Sequence, residues 1–214
     1  LRIIIALMAF FLAVSPLNGI EKNINSTVVY FEAKDPEGDD YGPGSYIYPR
    51  NLAFKPYNGL LDLLQFRVSG HEQNIFFDVE IKKISNPWNA PEGFIHPVIH
   101  IYLDTAKGGR TEPLNEALGV SFPPQYGWEY CLEGWESSRL TYLTPQGSLE
   151  STELLACYLP DQHIIRLAVP VEIIGRPQKN WKYYVLIGSY DGFGPGYLRE
   201  IRKEPGDWVF GGGS

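Results

Sequence analysis

Methionine occurs once in the 214 residues and cysteine twice. The single methionine, Met8, lies in an apolar leader that reads as removable, which excludes His/Met ligation of a haem iron in the mature chain. Cys131 and Cys157 can pair in an oxidising compartment, but residues 139–144 read as a strand between them. In a simple meander their strands would stand about 10 Å apart, too far to bridge. Bridged cysteines and two small buried apolar residues both stay open. Histidine occurs four times. His96 and His100 are four apart, but Pro97 and the β pattern deny them a helical face, and on a strand they stand some 13 Å apart. They cannot share a metal, and no cysteine cluster supports zinc. There is no nucleophile elbow, no phosphate-binding glycine loop and no zinc-protease helix. Cationic residues are in deficit, 18 against 25 acidic ones, for a net charge of −7. That balance argues against nucleic acid and anionic membrane as partners.

Leu1-Arg2 is followed by an uncharged apolar run over residues 3–14 and a turn-prone stretch that ends at Gly19. This order predicts a secretory signal peptide over residues 1–19, with one mature domain over residues 20–214 that is secreted or held at the cell surface. The run is too short to cross a bilayer comfortably, which takes about 20 apolar residues, and an uncleaved N-terminal anchor is the other reading. Losing Arg2 makes the mature chain one unit more acidic. Asn25-Ser26-Thr27 matches the glycosylation acceptor pattern, a short motif of low specificity.

The remainder is rich in Tyr, Phe, Val and Ile, and is broken up by glycine and proline. Short β-type runs appear at residues 27–33, 61–69, 74–84, 98–103, 128–132, 140–143, 154–159, 164–171 and 182–189, with a short addition at 197–201. Residues 98–103 are almost wholly apolar, as a strand buried on both faces would be. Pro160-Asp161-Gln162 reads as a hairpin connection, and residues 171–175 as a single helical turn. The expected fold is an all-β antiparallel sandwich of jelly-roll or immunoglobulin-like type.

Residues 35–44 place Asp35, Glu37, Asp39 and Asp40 on a loop stiffened by proline and bent by glycine. Calcium takes six to eight hard oxygens from carboxylates and loop carbonyls, and such a loop offers both. Asp62 and Asp104, at the ends of apolar runs, can reach back to it. A solvated acidic turn is the other reading. Glu129 and Glu133, together with Glu136, read as a solvated sheet face rather than a glycosidase pair. Five tryptophans are present. Trp88 and Trp208 lie outside the strand patterns, in the turn-rich sequences SNPWNAP and EPGDW. A sugar presents an apolar C–H face beside a rim of hydroxyls, and loop aromatics beside Asn, Asp and Arg suit that mixed surface. Tryptophans that plug the end of the sandwich are the alternative.

The run DPEGDDYGPGSYIYP over residues 35–49, SNPWNAPEGF leading into IHIYLDT, VPVEIIG, WKYYVLIGSYDGFGPGYLREI and the terminal GDWVFGGGS occur in this order. Over residues 28–214 the chain resembles the C-terminal domain of glucodextranase and of related extracellular glucan-degrading enzymes. The resemblance implies a DOMON-like β-sandwich related to family 9 carbohydrate-binding modules. It implies a non-catalytic module that binds polysaccharide or oligosaccharide and is stabilised by calcium. In the related module two tryptophans face each other across a sugar-binding slot. That role carries over to Trp88 and Trp208, with Asn89, Asp191 and Arg199 as candidate polar contacts. The calcium candidates are Asp35, Asp39, Asp40, Asp62 and Asp104. A structural or interaction domain of the cell envelope is the alternative, as is the leading part of a larger exported enzyme, since such a domain usually continues past the glycine run that ends at Ser214.

Overall fold

The computed structural model describes residues 27–42, 44–135 and 138–213. The proposed signal peptide, Asn25 and Glu136 lie outside these residues. Among the described residues ten strands form: β1 (Val28–Lys34), β2 (Leu63–Gly70), β3 (Asn74–Ile81), β4 (Pro97–Asp104), β5 (Tyr130–Gly134), β6 (Arg139–Leu143), β7 (Leu149–Glu153), β8 (Leu155–Leu159), β9 (Ile164–Pro170) and β10 (Lys182–Ser189). One helical turn, α1 (Val171–Ile174), follows β9. The strands make two five-stranded antiparallel sheets, in the orders β1-β2-β3-β9-β8 and β10-β4-β5-β6-β7. The expected all-β sandwich is what the chain forms.

Period-2 alternation builds the core. Ile75, Phe77 and Val79 of β3 pair in register with Val169, Leu167 and Ile165 of β9, and all six are fully buried. Across the sandwich they meet Ile99, Ile101 and Leu103 of β4 and Leu132 of β5. The other face of β4 is buried too. There Tyr102 packs with Phe122, Trp128 and Cys131, so the segment after β4 folds back as a second layer over the sheet. This is why residues 98–103 read as apolar throughout.

Three details depart from the sequence pattern. β7 is not visible as an apolar run, because Leu149–Glu153 is a polar edge strand held by cross-strand partners such as Tyr142 with Glu150. The expected run 154–159 is β8, and it belongs to the opposite sheet. Residues 197–201 form no strand; the 3-10 turn Pro195–Tyr197 is followed by single bridges at Leu198 and Ile201. Cys131 lies in β5 and Cys157 in β8, on different sheets, and they are not bridged to each other.

A separate aromatic cluster of Tyr48, Phe54, Leu60 and Phe210 anchors the C-terminal segment. Ile47 and Gly211 exchange backbone hydrogen bonds of 3.0 and 2.9 Å, and Arg50 N–H donates to the Gly206 carbonyl at 2.9 Å. Gly212 has φ +82°, and any Cβ there would run into the Ser45 carbonyl. The glycine run is thus a tight backbone packing site, and it fixes the turn that carries Trp208.

Candidate binding site

Two tryptophans distant in sequence meet on the surface. The Trp88 loop is braced by one side chain: Asn86 Oδ1 accepts from Ala90 N–H at 2.7 Å, and its Nδ2 donates to the Ala90 carbonyl at 2.9 Å. Asn89 takes the left-handed conformation (φ +54°), which Asn tolerates better than most residues. This turns Pro87, Trp88 and Asn89 outward, all three exposed. The Trp88 and Trp208 rings stand 6.1 Å apart and are tilted by 31°. Each is about half exposed, at 49% and 45%, while Trp128 is fully buried and Trp135 is 9% exposed. A sugar ring held between two parallel rings needs a van der Waals gap on each side, about 7–8 Å in all. The pair is therefore a single tilted apolar surface, not an open slot.

The support beneath it is largely buried. Phe54 lies 6.0 Å from Trp208, edge to face, and 4.6 Å from His96. His96 in turn lies 5.9 Å from Trp88. The Arg199 guanidinium sits 4.8 Å from the Phe54 ring centre and 5.8 Å from that of Trp208. It donates to the Trp208 carbonyl at 2.6 Å, to Asp191 Oδ2 at 3.2 Å, to Ser189 Oγ at 3.3 Å and to the Tyr190 carbonyl. Trp88, Trp208, Asp191 and Arg199 are thus gathered at one end of the sandwich. Asn89 adjoins Trp88 as its exposed neighbour. Arg199 is a floor residue, its side chain only 5% exposed, while Asp191 is the more accessible at 22%. Phe54 and His96 are the members that sequence reasoning missed. Nothing in their local pattern distinguishes them from ordinary core residues.

His96 gives this end of the molecule a pH dependence. Its Nε2–H donates to the Ala53 carbonyl at 2.8 Å, and its buried Nδ1 has no hydrogen-bond partner among the described residues. Burial, opposed by the Ala53 bond and assisted by Arg199, brings the imidazole down from 6.5 to about 4. Between these pH values the unfolded chain binds a proton that the folded chain does not. The stabilisation is complete above pH 6.5 and is lost as pH falls through 4, an effect of about 3 kcal/mol. Urea unfolding measured across this range should show the loss, and His96→Gln should flatten it. An equal slope in the variant would remove His96 as the cause.

The acidic loop is the second feature. Asp35, Asp39 and Asp40 line a 470 Å³ cleft whose other walls include Leu61, Val185, Ile187 and Phe210. Burial raises the Asp35 carboxyl above its ordinary value, and Asp39 and Asp62 raise it further. Asp62 does reach the loop, accepting from Gly38 N–H at 2.9 Å. Lys82 stands 3.0 Å from Glu37 and 3.5 Å from Asp62. Asp40 accepts from Gly59 N–H at 2.8 Å and from the Tyr48 hydroxyl. Asp104 is not in this group; its carboxylate lies 3.4 Å from Lys182 at the start of β10. Among the described residues no three His, Cys, Asp or Glu side chains are gathered so as to hold a metal ion.

The solvated-face reading of Glu129 and Glu133 is corrected. Glu133 is 5% exposed and is gripped by Arg139 through two hydrogen bonds. Burial pushes its carboxyl up, but His100 and Arg139 outweigh that and hold it below the ordinary value. Glu129 Oε2 accepts from Thr105 N–H at 2.7 Å and closes the turn after β4. The segment after β4 covers this face, which no local pattern announces.

No curated protein matches the chain. A family model does, described as the C-terminal binding-module, SLH-like, of glucodextranase, and it covers residues 30–214. The match takes in both tryptophan loops, the acidic loop and all of the sandwich from β2 onward, and the chain belongs to this family of glucodextranase C-terminal binding modules.

Proposed function

We propose that the chain is a non-catalytic carbohydrate-binding module acting outside the cell, with the Trp88–Trp208 pair as its sugar platform. One observation carries this reading: two half-exposed indoles from distant loops are held together over a buried aromatic and guanidinium floor. Leaving such rings in water is unfavourable unless something covers them. A sugar ring stacks its C–H face on the outer surface of the pair, and Asp191 and Asn89 offer hydroxyl partners at the rim. Family membership in a binding module of a glucan-degrading enzyme supports a glucan as ligand.

Trp88→Ala tests it. Calorimetric titration with soluble glucan fragments should show an affinity loss of about ten- to a hundredfold, that is 1–3 kcal/mol. Stability should change less than on truncation of a core Trp, which costs about 3–5 kcal/mol. Unchanged affinity in a folded variant would sink the platform. The SLH-like character of the family makes cell-envelope glycan the second candidate ligand. Pull-down on purified cell-wall material, set beside a glucan affinity gel, separates the two.

Calcium is proposed for the acidic loop, the ion drawing Asp35, Asp39, Asp40 and Asp62 together from positions that do not by themselves form a three-carboxylate group. Two buried carboxylate oxygens there, Asp40 Oδ1 and Asp62 Oδ1, have no hydrogen-bond partner among the described residues, and Asp62 is fully buried. Such oxygens fit a hard cation that also takes loop carbonyls. At a hundredfold excess over Kd the ion adds about 2.7 kcal/mol of stability. Equal melting in millimolar calcium and in chelator would leave Lys82 as the cation that balances this loop.

A further inference from the structure

A second cleft, of 330 Å³, lies on the outer face of β4, β5 and β6, away from the tryptophan pair. Trp135 and Tyr197 form one wall, with ring centres 4.3 Å apart. Asn115 and Gly196 close the rim, joined by the Asn115 Nδ2 bond to the Gly196 carbonyl at 2.8 Å. The floor is Glu133, Arg139, Thr141 and His100. Polar groups along it are left unpartnered. Among the described residues, Trp135 Nε1–H and His100 Nδ1 have no hydrogen-bond partner, although these residues are 9% and 1% exposed. His100 Nε2 faces Glu133 Oε1 at 3.5 Å. Buried polar groups without partners are rare in native proteins, and those that occur call for an explanation such as a ligand or ordered water.

We infer that this cleft is a second saccharide subsite, which takes a neutral sugar unit of the same glucan. The inference rests on the carbohydrate-binding reading above. Three features select a neutral polyol. Glu133 and Arg139 neutralise each other, so the floor attracts no ion strongly. The hydroxyls of Thr141 and Ser151, 2.9 Å apart, offer donors and acceptors in pairs, as vicinal sugar hydroxyls require. Tyr197, 45% exposed, supplies a ring for the C–H face. The volume lies at the small end of ligand sites, about 300–1,000 Å³. One loop serves both sites. Arg199 ties Tyr190 and Asp191 to the tryptophan pair, while the Tyr190 and Tyr197 rings pack on Trp135. Fully exposed Phe193 lies in that loop, between Asp191 and Tyr197.

Calorimetric titration of the full chain with glucose and with linear gluco-oligosaccharides of increasing length tests this. The wild type should show two binding events per chain. Trp88→Ala should keep only the cleft event. Tyr197→Gly, which suits the left-handed backbone at that position (φ +59°), should keep only the event at the tryptophan pair. Trp135→Phe retains the packing, loses the N–H, and should weaken the cleft event about tenfold; it serves as the second variant if Tyr197→Gly is poorly folded. A single wild-type event, abolished by Trp88→Ala and untouched by Tyr197→Gly and Trp135→Phe, overturns the second subsite and leaves the first standing. A single event lost in Tyr197→Gly but kept in Trp88→Ala retains the cleft and overturns the tryptophan platform. No binding of any of these sugars overturns both.

Discussion

Arg199→Ala should lower the unfolding free energy by about 3 kcal/mol, the low end for removing one partner of a buried ion pair, because Asp191 keeps some contact with water. It should also abolish sugar binding at the tryptophan pair. The guanidinium donates to two main-chain carbonyls, a hydroxyl and a carboxylate, and lies against two aromatic rings. Truncation strands those acceptors and opens a void beneath Phe54 and Trp208. The Trp208 carbonyl then loses the donor that holds its turn against residues 190–191. Arg199→Lys restores the charge but not the planar fork, so it recovers only part of the loss. Urea unfolding of the three proteins, with sugar titration well below each midpoint, gives the comparison. An Arg199→Ala variant as stable as wild type would mean that the guanidinium is solvated and carries no structural role.

The second large effect lies far from the sugar platform. Asp78 of β3 and Arg166 of β9 are direct cross-strand partners, joined by hydrogen bonds of 2.7 and 2.8 Å, with side chains only 4% and 11% exposed. The guanidinium also covers the Phe76 ring at 4.8 Å. Arg166→Met leaves a buried carboxylate without its counter-ion and should cost about 3–5 kcal/mol. Replacing both residues, as Asp78→Leu with Arg166→Met, should recover most of this, since an apolar pair has no charge to desolvate. Sugar affinity should stay unchanged in both variants. A single variant as unstable as the double would show that packing, not the stranded charge, sets the cost.

Much of this protein is written in short-range pattern. Alternation in 74–81 and the apolar run 98–103 determine which residues face the core, because strand side chains alternate and one buried face admits no slip of register. The turn-rich settings of Trp88 and Trp208 mark them as surface residues for a local reason: closely spaced Pro and Gly weaken strand pairing and favour turns. Asp62 and the acidic loop were also legible as neighbours.

What the sequence alone could not decide was the company these residues keep. Trp88 and Trp208 are 120 positions apart in number. Their 6.1 Å approach depends on the C-terminal turn being fastened to residues 47–51. The same holds for β7, a polar strand whose pairing with β6 supplies what its own side chains do not. Glu133 reads as exposed by alternation, yet a segment returning from β4 covers its face. Arg199 reads as a candidate polar contact for the sugar and is the floor of the site. In each case a local pattern measures only one chain's preference for water. Tertiary packing then sets which polar groups find partners, and a buried charge with four acceptors around it has a better alternative to water than the sequence can show.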